Sequence, residues 1–211
     1  MRKRSIRSTF ENFFDWMDVY RALLRKVRSE NSLLSVKERK EVFEAFVPKV
    51  LAQWDILVED LLIDCLNRDS SRYAETFGEG FPKHNSSALC EVMLTGIGYL
   101  DFKTFGDAKG KAAKVLVDRL NPLQTVATAD ARRIDQFSTI RNYLAHYSRV
   151  SQRAYERMCR EEFDMQRVRE PCEFLFALVD ARRQKTRFEY VFLDAFDRAA
   201  MAMAEFVAVS M

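Results

Sequence analysis

An all-α fold is what the sequence predicts, and three observations carry the prediction. Long stretches repeat apolar residues at spacings of three and four, the period of one helix face. Only 6 Gly and 4 Pro interrupt 211 residues. No stretch of useful length alternates apolar with polar residues as a half-buried strand does. Hydrophobic residues at 48% and charged residues at 31% exclude a disordered chain, and 211 residues suffice for one helical domain, 1–211, with a sizeable core.

In chain order, Phe10, Phe13, Phe14, Met17, Tyr20, Leu24 and Val27 define a helix over 9–29 behind a Ser8/Thr9 cap. Ser35-Val36-Lys37-Glu38 is a capping box, and Val42, Phe43, Phe46, Val47, Val50, Leu51, Trp54, Leu57, Val58, Leu61 and Leu62 continue one stripe to about Cys65. Pro48 removes a donor and predicts a kink. Over 67–86 the periodicity fails and Gly78, Gly80 and Pro82 appear, which reads as the longest loop and a mobile one. A short helix over 87–100, interrupted by Gly96 and Gly98, leads to a connection containing Gly106 and Gly110, and then to a helix ending near Asn121-Pro122. Asp130 caps a helix over 130–150 whose buried stripe is Ile134, Phe137, Ile140, Leu144 and Tyr147. Beyond Pro171, residues Phe174, Leu175, Leu178 and Val179 predict a further helical piece. Thr186-Arg187-Phe188-Glu189 is a second capping box, opening a terminal helix with Phe188, Val191, Phe192, Ala195, Phe196, Ala199, Met203, Phe206 and Val207 on one side, wide enough for core or dimer packing. An antiparallel helical bundle follows.

The net charge is only +3, but its distribution is uneven. No Lys occurs between Val115 and Gln184, whereas Arg132, Arg133, Arg141, Arg149, Arg153, Arg157, Arg160, Arg167 and Arg169 crowd that stretch. The planar guanidinium fork matches a phosphate, which fits nucleic-acid contact; solvated helix faces are the equally weighted alternative. Cys65, Cys90, Cys159 and Cys172 are far apart, lack Cys-x-x-Cys spacing, and read as reduced core thiols. The basic start at Met1-Arg2-Lys3-Arg4 leads into Phe10-Glu11-Asn12-Phe13-Phe14-Asp15, too polar for a signal peptide. No window approaches the roughly 20 apolar residues that span a bilayer. The expectation is a cytoplasmic protein with no membrane partner.

Chemistry concentrates in one place. Of the two histidines, His84 falls in the expected loop, and His146 stands four residues after Asn142 on the expected motif helix. One turn apart, Asn142 and His146 share a face, so the amide can orient the imidazole. Arg141 emerges toward the apolar stripe and must cross the helix surface or meet a partner chain. An imidazole beside a fixed cation supplies what RNA phosphodiester cleavage needs without metal: proton transfer, and a positive charge for the phosphorane. On residue types alone a structural hydrogen-bonding histidine and an Arg141 ion pair with Asp135 remain open. Other constellations carry less. His84 and His146 with scattered cysteines are too few for a metal site, so no cofactor is expected. Glu161-Glu162 reads as a solvated face, Ser148 lacks an orienting third group, Gly96 and Gly98 lack a strand-then-helix setting, and Trp54 reads as core.

The segment Ile140-Arg141-Asn142-Tyr143-Leu144-Ala145-His146 resembles the signature of the HEPN superfamily, in which an Arg, commonly followed by a polar residue, precedes a His by four to six intervening positions. Gln53 to Leu62 is similar, more loosely, to the aromatic and acidic helix of the RiboL-PSP type of HEPN-like nuclease. The resemblance implies a helical bundle that pairs as a homodimer with two Arg/His pairs facing one cleft, and a metal-independent endoribonuclease. In that scheme His146 handles the 2'-hydroxyl or leaving-group proton, Arg141 stabilises the phosphorane and Asn142 orients His146. Tyr147, Arg149 and Arg153 then border the RNA. Such proteins include toxins and phage-defence effectors, often held by an inhibitory partner protein, and also non-catalytic dimerisation and binding modules. In the subgroup silenced by adenylylation a Tyr stands two residues after the His; here Ser148 does, so that route does not carry over.

Overall fold

The computed structural model describes residues 5–29, 33–78, 80, 82–96, 102–180 and 184–210. Nine helices, α1 Ile6–Arg28, α2 Val36–Arg68, α3 Ser71–Phe77, α4 Ser87–Gly96, α5 Phe105–Val115, α6 Thr128–His146, α7 Arg149–Phe163, α8 Pro171–Phe176 and α9 Phe188–Ser210, dominate these residues. A two-stranded antiparallel ribbon, β1 Leu178–Asp180 and β2 Gln184–Arg187, joins α8 to α9. The all-α expectation holds for class, and the ribbon is a small departure from it. Among the described residues no helix is long and apolar enough to cross a membrane.

The chain divides into two units, residues 1–14, 54–131 and 198–211, and residues 15–53 and 132–197. In the first unit Trp54 contacts Phe13 edge-on at 5.9 Å and Phe105 at 5.8 Å, so the buried end of the α2 stripe meets α1 and α5. Burial of Phe105, Ala108, Ala112 and Val115, together with the Thr104 side chain accepting from Asp107 N, makes α5 a helix although it contains Gly106 and Gly110. The expected Gly-rich connection is therefore corrected: two glycines cost about 1 kcal/mol each, less than four buried side chains return. After α5 come two 3-10 turns, Asp118–Leu120 and Pro122–Thr125, in place of the helix expected there.

The expected loop over 67–86 also contains structure. α3 buries Tyr73 and closes on Gly78 at φ 69, a left-handed cap that glycine adopts freely. Around it Ser70 Oγ donates to Pro82 O at 2.7 Å, and Arg119 pairs with the buried Asp69 at 2.6 Å. These polar ties, not apolar periodicity, define the segment, which is why the sequence pattern failed there.

In the second unit the stripes of α1 and α2 bury Met17, Tyr20, Leu24, Val27, Phe43, Phe46, Val47 and Val50. Phe137 of α6 lies 5.4 Å from Phe192 and 5.5 Å from Phe196 of α9, and Phe174 of α8 stacks on Phe188 at 4.7 Å. The capping box at Ser35 forms as read, with Glu38 N donating to Ser35 Oγ at 3.3 Å and Ser35 N to Glu38 Oε2 at 2.7 Å. Pro48 does not end α2, which runs on to Arg68.

Several boundaries differ. α1 begins at Ile6, so Ser8 and Thr9 lie inside it, and Ser5 O accepts from Ser8 N at 2.9 Å. α6 begins at Thr128; Asp130 is not its cap but accepts from Arg198 Nε and Nη2 at 3.0 and 2.6 Å. Val179, expected as helical, lies in β1. Glu189 does not close a capping box with Thr186, because its carboxylate pairs with Arg28 Nη1 at 2.7 Å. The Thr186 side chain, residues 97–100 with Gly98, and the basic start at residues 1–4 lie outside the described residues. All four cysteines are free and buried.

Candidate functional site

α6 ends at His146, not near Val150, and α7 begins at Arg149. The break has a local cause. Ser148 and Ser151 form a reciprocal cap, each backbone N–H donating to the other hydroxyl at 3.1 Å, which starts a new helix where the old one would have continued. Tyr147 makes the turn at φ 44, a left-handed conformation that costs a non-glycine residue about 1 kcal/mol. It is 67% exposed and so leaves the buried stripe in which it was expected.

Arg141, Asn142 and His146 all lie on the last turns of α6, with Arg141 and Asn142 half-buried and His146 exposed. At about 100° per residue, Asn142 and His146 point about 40° apart, whereas Arg141 and His146 point about 140° apart. Arg141 follows the buried Ile134 by two turns and emerges on the side of the core stripe. One chain thus presents cation and imidazole on different sides of one helix. Among the described residues, none of the three makes a side-chain hydrogen bond or ion pair. The Asn142 to His146 bond and the Arg141 to Asp135 pair drawn from the sequence are both absent.

The surroundings fix the helix end without using those three groups. Tyr143 stacks on Tyr155 of α7 at 5.1 Å and 9°, and Tyr155 Oη donates to Arg169 O at 2.8 Å. Tyr147 Oη donates to Glu44 Oε2 at 3.4 Å, a long contact. Glu44 lies 3.8 Å from Lys40, which pairs with Glu170 at 2.8 Å. Burial pushes the Glu44 carboxyl above its usual range, against the pull of Lys40. The i, i+4 pair of Lys40 and Glu44 is legible in the sequence; its meeting with Tyr147 from a distant helix is not.

On α7, Tyr155, Met158 and Cys159 are buried, while Arg149, Arg153, Arg157 and Arg160 are exposed. Spaced by four, four and three, the arginines form one row down the helix. Arg160 lies 3.8 Å from Glu156. Among the described residues Arg149, Arg153 and Arg157 meet no carboxylate at ion-pair distance. The row starts at the corner that holds His146, so an imidazole, an unpaired guanidinium and a cationic track share one end of α6.

The cavities of this unit include two lined by described residues. One, of about 320 Å³, lies between α6 and α7 and is lined by Arg132, Gln136, Thr139 and Arg157 among others; Arg132 and Gln136 there both engage Glu162. The second, of about 680 Å³, is lined by residues of α1, α2, α8 and β2. Neither includes Arg141 or His146. Among the described residues no group of three or more His, Cys, Asp or Glu is placed to hold a metal ion. No protein-family profile, curated protein or solved structure matches this chain.

Proposed function

We propose that the chain is a HEPN-like homodimeric endoribonuclease that cleaves RNA without metal, in the manner of a toxin or phage-defence effector. The observation that carries the reading is that Arg141 and His146, at the HEPN-like spacing, both have no hydrogen-bond or ion-pair partner among the described residues and stand at the head of the Arg149, Arg153 and Arg157 row. In the reaction, the imidazole of His146 takes the 2'-hydroxyl proton as that oxygen attacks the adjacent phosphorus. The Arg141 guanidinium balances the charge gathering on the phosphorane. The bond to the 5'-oxygen breaks, the departing oxygen takes a proton, and a 2',3'-cyclic phosphate remains. Because Arg141 and His146 diverge on one helix, each site draws Arg141 from one copy and His146 from the other. Asn142 acquires an orienting role only if the dimer turns it toward His146. Tyr147, Arg149 and Arg153 guide the RNA backbone.

The test is RNA incubated with purified protein in EDTA. The wild type yields cyclic-phosphate ends, and His146→Ala and Arg141→Ala lose cleavage by about a hundredfold or more. Equal cleavage by all three proteins, or its loss on chelation, overturns the reading. One observation favours a second reading, a non-catalytic dimerisation module that binds RNA or a partner protein: the His146 ring has no orienting bond from Asn142. Growth arrest on expression that Arg141→Ala relieves separates the nuclease from the binder. An inhibitory partner protein belongs to the toxin reading and is sought by co-purification.

A further inference from the structure

The cavity of about 680 Å³ lies apart from the Arg141 and His146 motif and falls in the range of small-molecule sites, roughly 300–1,000 Å³. Five cationic side chains line it, Arg28, Lys37, Arg39, Lys40 and Arg187, against two carboxylates, Glu170 and Glu173. Two of the cations are answered: Lys40 by Glu170 at 2.8 Å, and Arg28 by Glu189 at 2.7 Å. Lys37 and Arg187 meet no carboxylate at ion-pair distance among the described residues. Arg187 is nonetheless held in place, because its Nη1 donates to the Phe176 carbonyl, a neutral acceptor, and its charge acts on the buried Glu189 only through space. A guanidinium fixed by one N–H keeps the others for a ligand and loses little freedom on binding. The opposite character is also present, since the Phe176 ring, 4.0 Å from Phe43, forms part of the wall.

A tethered guanidinium and an ammonium lining one cavity beside an aromatic residue match an anion of about two charges joined to a flat apolar body. We propose that this cavity binds a phosphomonoester with a planar or apolar body, its phosphate taken by Lys37 and Arg187 and its body lying against Phe176. The proposal does not depend on the nuclease reading, and its test leaves the motif intact.

The experiment is calorimetric titration of the full chain at low salt with phenyl phosphate, inorganic phosphate and phenol. Phenyl phosphate binds with one site per chain, inorganic phosphate about tenfold more weakly or worse, and phenol not at all, because both halves of the ligand contribute. Lys37→Ala and Arg187→Ala each weaken phenyl phosphate about tenfold, the scale of one charged hydrogen bond. Arg187→Lys retains part of that loss because it restores the charge without the fork. His146→Ala and Arg141→Ala bind like the wild type, which separates failure here from failure of the nuclease reading. Circular dichroism checks each variant for folding, and Lys37→Ala, at an exposed position, keeps the test decisive if an Arg187 variant does not fold. No heat with phenyl phosphate, equal affinity for phosphate and phenyl phosphate, or indifference to Lys37→Ala overturns the proposal. Displacement of phenyl phosphate by loss of Arg141 or His146 instead of Lys37 also overturns it, since the ligand would then sit at the motif.

Discussion

Replacing Glu189 by Gln should remove a specific part of the pH dependence of stability. The Glu189 side chain is fully buried in the first turn of α9, and Arg28 Nη1 stands 2.7 Å from one of its oxygens. Neither carboxylate oxygen has a hydrogen bond. Burial lifts its carboxyl from 4.5 to about 7, against the opposing pull of Arg28 and Arg187. At about 1.36 kcal/mol for each pH unit, that rise corresponds to about 3 kcal/mol. The sign follows from proton counting. Between about 4.5 and 7 the folded chain keeps a proton that the unfolded chain has released, so stability falls as pH rises through that window. Below it both states are protonated and the cost is absent; above it the full cost is present. Urea unfolding of the wild type and Glu189→Gln at intervals from pH 4 to 8 isolates the effect, because groups common to both proteins cancel in the difference. The wild type should lose about 3 kcal/mol relative to the variant as pH rises from below 4.5 to above 7. A flat difference refutes the reasoning. So does a wild type that gains stability as pH rises, since that would make the Arg28 pair stronger than the cost of burying the carboxylate.

Two further outcomes follow. Phe137→Ala deletes a fully buried ring packed on Phe192 and Phe196, and should cost about 3–5 kcal/mol by denaturant unfolding. Arg153→Ala, in an exposed residue of the α7 row, should leave stability within about 0.5 kcal/mol and lower the slope of log affinity for single-stranded RNA against log salt by about 0.7, as one lost phosphate contact does.

What could be read from the sequence depended on distance along the chain. The Ser35 box closes within four residues, and the α1 and α2 stripes repeat over several turns, so both are visible locally. α5 was hidden because its glycines are weighed against burial that only the folded unit reveals. Glu189 looked like half of a capping box, yet Arg28, far upstream, captures its carboxylate. α6 ends at His146, short of its expected bound, because Ser148 and Ser151 are ordinary inside a helix until their reciprocal bonds form. The candidate site shows the same division. Spacing alone brought Asn142 and His146 to one side of α6 and sent Arg141 toward the core stripe, and the helix places them so. That all three lack hydrogen-bond and ion-pair partners among the described residues depends on neighbours that no spacing reveals.

The division of Arg141 and His146 between two sides of α6 makes complementation the most direct measurement. Arg141→Ala and His146→Ala, each inactive alone, are mixed in equal amounts, allowed to exchange subunits, and assayed on RNA in EDTA. Random pairing makes about half of the dimers mixed, each with one intact composite site of two, so cleavage returns to about a quarter of the wild type. Mixed dimers that form and stay inactive contradict the account.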